Sequence, residues 1–218
     1  MTHKVVMVCS PPRSGTSIVA GILYHLGIPM GSGPHGNHIN PRGLFEDKRL
    51  HQLRKRCMTT LLDGRLIGTR QGRVELFKSW HATRRSMNPK APIIGGKLGE
   101  LLIMIPEMEE ALPNLHVICI ERPVDDIAAS HSKVWHKRNR PGMSMRILKA
   151  VTERDKHLGR LGVPTLKIGF GRTISAPHES VAAIIEFLRI SPRPEQIDAA
   201  IYHIDPSLNH FSTEYQHG

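Results

Sequence analysis

The sequence predicts an α/β fold, a three-layer sandwich with a central parallel sheet, and three observations lead there. Short apolar runs rich in Val and Ile recur at residues 5–9, 93–97, 115–120 and 163–168; runs of that length suit strands covered on both faces. Segments with helical spacing separate them, and strands alternating with helices imply parallel pairing through right-handed crossovers. The first run stops at Ser10-Pro11-Pro12 and passes through Arg13-Ser14-Gly15-Thr16-Ser17 into an apolar helix. Two prolines cannot donate to a ladder, so the strand must end there.

Taken in order, the first helix spans 15–26 and Gly27 stops it, as a C-terminal glycine does. Residues 28–41 are dense in Gly, Pro, His and Asn and read as a loop. A basic helix follows over 48–63, with Leu50, Leu53, Cys57 and Leu61 at helical spacing. Residues 64–72 read as a loop and 74–87 as a weaker helix containing Trp80. Helix 99–112 carries Pro106 near its start or in a kink, and helix 124–134 follows the third strand. The basic stretch 136–145 reads as an exposed loop or lid, 147–161 and 179–188 as helices. From Ser191 onward there is no strong period, and the tail is expected to fold back over one domain covering 1–218.

Composition is that of a globular protein, 39% hydrophobic and 22% charged, and with only 5% aromatics the core must be aliphatic. The net charge of +11 favours anionic partners without choosing among nucleotides, nucleic acid, glycans or a membrane surface. Cys9, Cys57 and Cys119 form an odd, unclustered set, expected as reduced thiols in a cytoplasmic protein. No apolar run reaches the length of a membrane span. Neither the His35/His38 nor the His131/His136 spacing makes a usual ligand set, so no metal is expected.

The chemistry centres on the first turn. Gly15 allows close approach to a ligand, Thr16 and Ser17 sit where a helix begins, and free N–H groups with the helix dipole favour an anion there. Against the triphosphatase loop G-x-x-x-x-G-K-[ST], the first glycine is Ser10 and the lysine is Thr16, with a positive group three residues earlier as Arg13. That suggests a phosphate loop adapted to a different nucleotide.

Several separated blocks resemble PAPS-dependent sulfotransferases, closest to the bacterial and carbohydrate types. Pro11-Pro12-Arg13-Ser14-Gly15-Thr16-Ser17 is similar to the family's 5′-phosphosulfate loop. Glu121-Arg122-Pro123 through Ser130 resembles its 3′-phosphate segment, with the arginine eight residues before a helical serine. The block 170–190 resembles its late strand, turn and amphipathic helix, and Asn40 to Asp47 (NPRGLFED) a segment after its first helix. The resemblance covers about residues 4–190 and implies a P-loop nucleotide-hydrolase-like fold. It also implies 3′-phosphoadenosine 5′-phosphosulfate (PAPS) as donor, adenosine 3′,5′-bisphosphate as product, and a small-molecule or glycan acceptor. Pro12 to Ser17, Arg122 and Ser130 are then donor-binding, with Arg13 and Arg122 at the two ends of the nucleotide. The resemblance likewise implies Lys97 near the bridging oxygen and Arg13 on the leaving phosphate. The histidine base of the family's cytosolic branch falls on Gly99, so Glu46 is the preferred base, with His35, His38 and Asp47 behind it. Phe170-Gly171-Arg172 replaces a common Tyr-Glu-Asp, leaving Phe170 for packing against adenine. The rival readings are a P-loop kinase, which the missing lysine opposes, and a basic nucleic-acid-binding module, which the scarcity of aromatics opposes. A third is a nucleotide-binding protein without turnover.

Overall fold

The computed structural model describes residues 3–31, 33–36, 41–59, 65–134 and 142–206. The described chain begins with β1 (Lys4–Val8), α1 (Thr16–His25), α2 (Lys48–Cys57), α3 (Arg70–Met87) and β2 (Ile93–Lys97). A 3-10 turn (Gly99–Ile103) leads into α4 (Ile105–Ala111), β3 (Leu115–Glu121), α5 (Val124–Val134) and α6 (Met143–Leu161). It continues with β4 (Thr165–Gly169), α7 (Phe170–Ser175), α8 (Pro177–Leu188) and α9 (Pro194–His203).

The four strands pair in parallel in the order β2-β1-β3-β4. Alternate side chains of each strand face opposite sides, and two cores result. Val5, Met7, Cys9, Val117 and Cys119 join Leu50, Phe77, Trp80, Met108 and Leu158 on one face. Val6, Val8, Ile118 and Ile120 join Val19, Ile22, Leu23, Ile184 and Ala200 on the other. The predicted three-layer α/β sandwich is therefore present. All three cysteines are free and buried; burial pushes the Cys119 thiol up to about 11, as suits a small hydrophobe.

Several boundaries move, each for a local reason. The basic helix ends at Cys57 because Met58 leaves it to bridge Leu66, and Ile67 donates to the Cys57 carbonyl at 2.7 Å. Thr69 caps α3, accepting from the Gly72 amide at 3.1 Å, so the helix starts before 74. Helix 99–112 divides into the 3-10 turn and α4, with Pro106 in the first turn of α4, where its missing N–H costs nothing. Residues 143–145 are helical, the start of α6, rather than loop. Residues 136–141 of the expected lid lie outside the described residues, as do 37–40, 60–64 and the tail from 207.

The described part of the tail, residues 191–206, does fold back, as a helix the sequence did not announce. Pro194 opens α9, and the Arg193 amide donates to Gln196 Oε1 at 3.0 Å. His203 packs so tightly on Gly21 of α1 that a Cβ there would lie 1.9 Å from its Nε2. Among the described residues no helix is long and apolar enough to cross a membrane.

The topology decides where chemistry can occur. Because the strands are parallel, their C-terminal ends share one edge. The chain leaves β1 to form β2 on one side and returns to form β3 on the other. Such a switch point opens a crevice outside the carboxyl ends of the strands, where ligands bind in α/β sheets. Residues 10–17, Lys97 and Arg122 all lie at that edge.

Candidate active site

The loop after β1 is anchored from beneath. The Cys9 amide donates to the Ile118 carbonyl at 3.0 Å, and Ser10 Oγ accepts from the Ile120 amide at 2.9 Å. Arg154 of α6, only 1% exposed, donates through Nη1 to the Cys9 carbonyl at 3.1 Å. Ser14 Oγ closes the turn on the Pro11 carbonyl at 2.7 Å. Gly15, at φ 103°, stands at the N-terminus of α1, where no side chain caps the first amides. A Cβ on Gly15 would meet the Phe170 ring at 2.5 Å, so glycine is required there twice over. Arg13 has φ 75°, a left-handed conformation that non-glycine residues adopt at a cost. Its Nε donates to Ser130 Oγ at 3.2 Å.

Arg122 follows β3, and its side chain is 5% exposed. Its Nη1 donates to the Arg13 carbonyl at 3.4 Å, its guanidinium lies 4.4 Å from the Phe170 ring centroid, and Asp126 is 3.8 Å from its Nε. Arg13, Arg122 and Ser130 are thus brought together at one edge of the sheet, because β1 and β3 are neighbours. Burial, and then the charge of Arg122, push the Arg13 guanidinium below its ordinary range. Two cations at the foot of an uncapped helix favour anionic groups beside them. Phe170 covers Arg122 and Gly15.

Beside them lies a second constellation. Lys97, at the end of β2, is 3% exposed. Its Nζ donates to Glu46 Oε1 at 2.7 Å, the Leu44 carbonyl at 3.1 Å and Ser17 Oγ at 3.2 Å. The other carboxylate oxygen, Glu46 Oε2, meets His51 Nε2 at 2.8 Å. Burial raises the Glu46 pKa, but the His51 hydrogen bond and the Lys97 charge and hydrogen bond outweigh it and hold the carboxyl at about 2. The same bond to Glu46 raises the His51 pKa, although burial opposes it. Burial lowers the Lys97 pKa, against the pull of Glu46. Phe45, buried at φ 53°, turns the backbone so that Glu46 faces Lys97.

The other candidate bases are placed differently. Asp47 caps α2 by accepting from the Arg49 amide at 2.8 Å and binds Trp80 Nε1 at 3.1 Å, a structural assignment. His35 is exposed, and His38 lies outside the described residues.

No protein-family model and no curated protein matches this chain. Solved structures do. The sulfotransferase domain from the Synechococcus PCC 7002 olefin synthase matches over 94% of this chain and 86% of its own, with 14% identity and a TM-score of 0.61. The sulfotransferase domain from the curacin biosynthetic pathway matches over 94% and 89%, at 13% identity and a TM-score of 0.55. Sulfotransferase STF9 from Mycobacterium avium matches over 92% and 67%, at 13% identity and 0.52. The fold is that of the sulfotransferases.

Within this sulfotransferase fold, Gly99 is the clearest departure from the cytosolic pattern, and the packing makes it obligatory. A Cβ on Gly99 would lie 2.8 Å from the Pro12 nitrogen and 2.9 Å from the Ser10 carbonyl, both backbone atoms of the loop after β1. A histidine there would have to displace that loop. Gly99→Ala is expected to cost about 1–3 kcal/mol by overpacking and to weaken anion binding as the loop shifts. Thermal melting with and without adenosine 3′,5′-bisphosphate checks both.

Three residues of the sulfotransferase fold escaped the sequence reading. Arg154 falls in the apolar stripe of Ile147, Ala150 and Leu158, and a cation on a buried face signals a partner. His51 follows the cap Asp47 by one helical turn, a spacing that places it over the start of α2 beside Glu46. Arg42 ties the 41–47 segment to α9 through the Tyr202 carbonyl and Asp205 Oδ2, the latter at 2.9 Å, and no local signal foretells that contact.

Proposed function

We propose that the protein transfers a sulfuryl group from PAPS to an acceptor hydroxyl. The observation that supports this most is the junction of two sites. The Lys97–Glu46 ion pair reaches Ser17 of the loop whose Arg13 meets Ser130 of α5 and Arg122 after β3. The donor set suits the nucleotide: two guanidinium groups, hydroxyls and a helix N-terminus for phosphate oxygens, and a buried lysine for charge that develops between sulfur and phosphate.

PAPS supplies the sulfuryl group and a phosphate oxygen as leaving group. Arg122 and Ser130 hold the 3′-phosphate, with Phe170 bracing Arg122. Pro12 to Ser17 form the cradle for the 5′-phosphate. Arg13 commits its Nε to Ser130, and its terminal nitrogens serve the leaving phosphate. Lys97 neutralises the oxygen that departs from sulfur. Glu46 accepts the proton of the attacking hydroxyl, in an in-line displacement that depends on positioning and charge stabilisation. Small molecules and glycans with a free hydroxyl are the acceptor classes.

Calorimetry tests the donor. Adenosine 3′,5′-bisphosphate is expected to bind at least tenfold more tightly than ATP, with no requirement for magnesium. Equal or tighter binding of ATP would return the protein to the kinase reading.

A further inference from the structure

The Glu46 carboxylate carries a proton problem. Both of its oxygens are engaged, Oε1 by Lys97 at 2.7 Å and Oε2 by His51 at 2.8 Å. A carboxylate held by Lys97 and by a protonated His51 is a weak base, and a proton it takes from an acceptor hydroxyl must move on before the next turnover. Lys97 offers no exit, because it is a cation with a side chain 4% exposed. Exposure rises in the opposite direction, from 24% at Glu46 to 38% at His51.

We propose that His51 is the proton outlet of this site, a positioning residue that receives through its Nε2 the proton Glu46 removes from the acceptor hydroxyl and passes it to water. This rests on the sulfuryl-transfer reading above. In the step, the acceptor O–H bond breaks as the O–S bond forms. The S–O bond to the leaving phosphate breaks, and its electron pair stays on the phosphate oxygen. The proton moves from the acceptor to Glu46 and then to the lone pair on Nε2 of neutral, Nδ1-protonated His51, whose Nδ1 proton leaves to water; this restores the carboxylate, and exchange with water resets the tautomer. Each carboxylate oxygen carries two lone pairs, so one that accepts from Lys97 or His51 can also accept from a hydroxyl.

The surroundings of His51 set the direction of its pH response. Glu46 and Glu100 favour the imidazolium, Arg54 of α2 opposes it, and Lys97 lies across the carboxylate. The net effect is a pKa above the usual histidine value. Protonated His51 has no room for another proton and pins Glu46 as a poor base. Neutral His51 can accept. Turnover therefore rises with pH through the His51 titration.

The experiment follows release of adenosine 3′,5′-bisphosphate from PAPS, with water as the acceptor, from pH 5 to 9. Wild type is expected to show a rising limb whose midpoint matches that of His51 followed by NMR. His51→Gln keeps a donor for Glu46 but cannot titrate. It is expected to lose the limb and about 10- to 100-fold in kcat, with KM for PAPS and affinity for adenosine 3′,5′-bisphosphate unchanged. His51→Ala is expected to regain rate with added imidazole. If either variant folds poorly, the NMR titration in wild type and Glu46→Gln decides: the His51 midpoint should fall when the carboxylate is removed. A wild-type limb in His51→Gln, or a His51 midpoint indifferent to Glu46, overturns the inference alone. Failure of wild type to bind adenosine 3′,5′-bisphosphate, or full rate in Glu46→Gln, overturns the sulfuryl-transfer reading and this inference with it.

Discussion

Arg122→Ala is expected to weaken adenosine 3′,5′-bisphosphate binding by roughly 10- to 150-fold while shifting the melting temperature by only a few degrees. The asymmetry follows from what the guanidinium touches. Within the protein it makes a 3.4 Å bond to the Arg13 carbonyl, stacks on Phe170 and stands 3.8 Å from Asp126. Cation–π contacts are worth about 0.5–2 kcal/mol, and an ion pair near the cut-off distance adds little. Toward a phosphate the same group offers charge-assisted bonds of roughly 1.5–3 kcal/mol, each 1.4 kcal/mol being about tenfold in affinity. Arg122→Lys keeps the charge but not the planar fork and should fall between the two. Calorimetry on all three proteins gives the ratio and melting curves give the fold cost. Unchanged affinity in the alanine variant would remove Arg122 from the site.

Glu46→Gln is expected to abolish turnover, a loss of at least 100-fold, with donor affinity close to wild type. The glutamine oxygen can still accept from Lys97, so the loop keeps its place, but the proton acceptor is gone. The change also reads out in acid stability. The Glu46 pKa is depressed in the folded state, to about 2, well below the ordinary glutamate range. A depressed acid contributes stability that is fully present above its unfolded pKa and is lost as pH falls through the folded one. Wild type should therefore lose roughly 3 kcal/mol between about pH 5 and pH 2 from this group, and Glu46→Gln should lack that component. Denaturant melts at pH 6 and pH 3 measure the difference. An identical pH dependence in both proteins would mean that Glu46 is not held by Lys97 and His51 in solution.

Much of this architecture was legible in local chemistry. β2 and α5 fall where periodicity placed them, and β1, α1 and β3 within a residue or so, since each is bounded by a proline, a glycine or a sharp change of pattern. Lys97 and Glu46 were each singled out from the chain, 51 residues apart, yet their bond was invisible there. Asp47 was a candidate base by proximity alone; the cap on α2 and the Trp80 bond make it structural. α9 was missed because its packing on α1 is decided by a partner nearly two hundred residues away, at Gly21.

The sequence by itself determined the alternation of strand and helix, the loop at Pro12 to Ser17 and the residue types placed on it. These are local matters of proline, glycine and apolar period. Only the tertiary structure decided that Arg13, Arg122 and Ser130 form one cluster, that Gly99 has no room for a side chain, and that Glu46 is shared between Lys97 and His51. Parallel pairing in the order β2-β1-β3-β4 gathers strand ends that lie far apart along the chain at one edge. Electrostatic coupling at that edge depends on distance in space, which residue spacing does not contain.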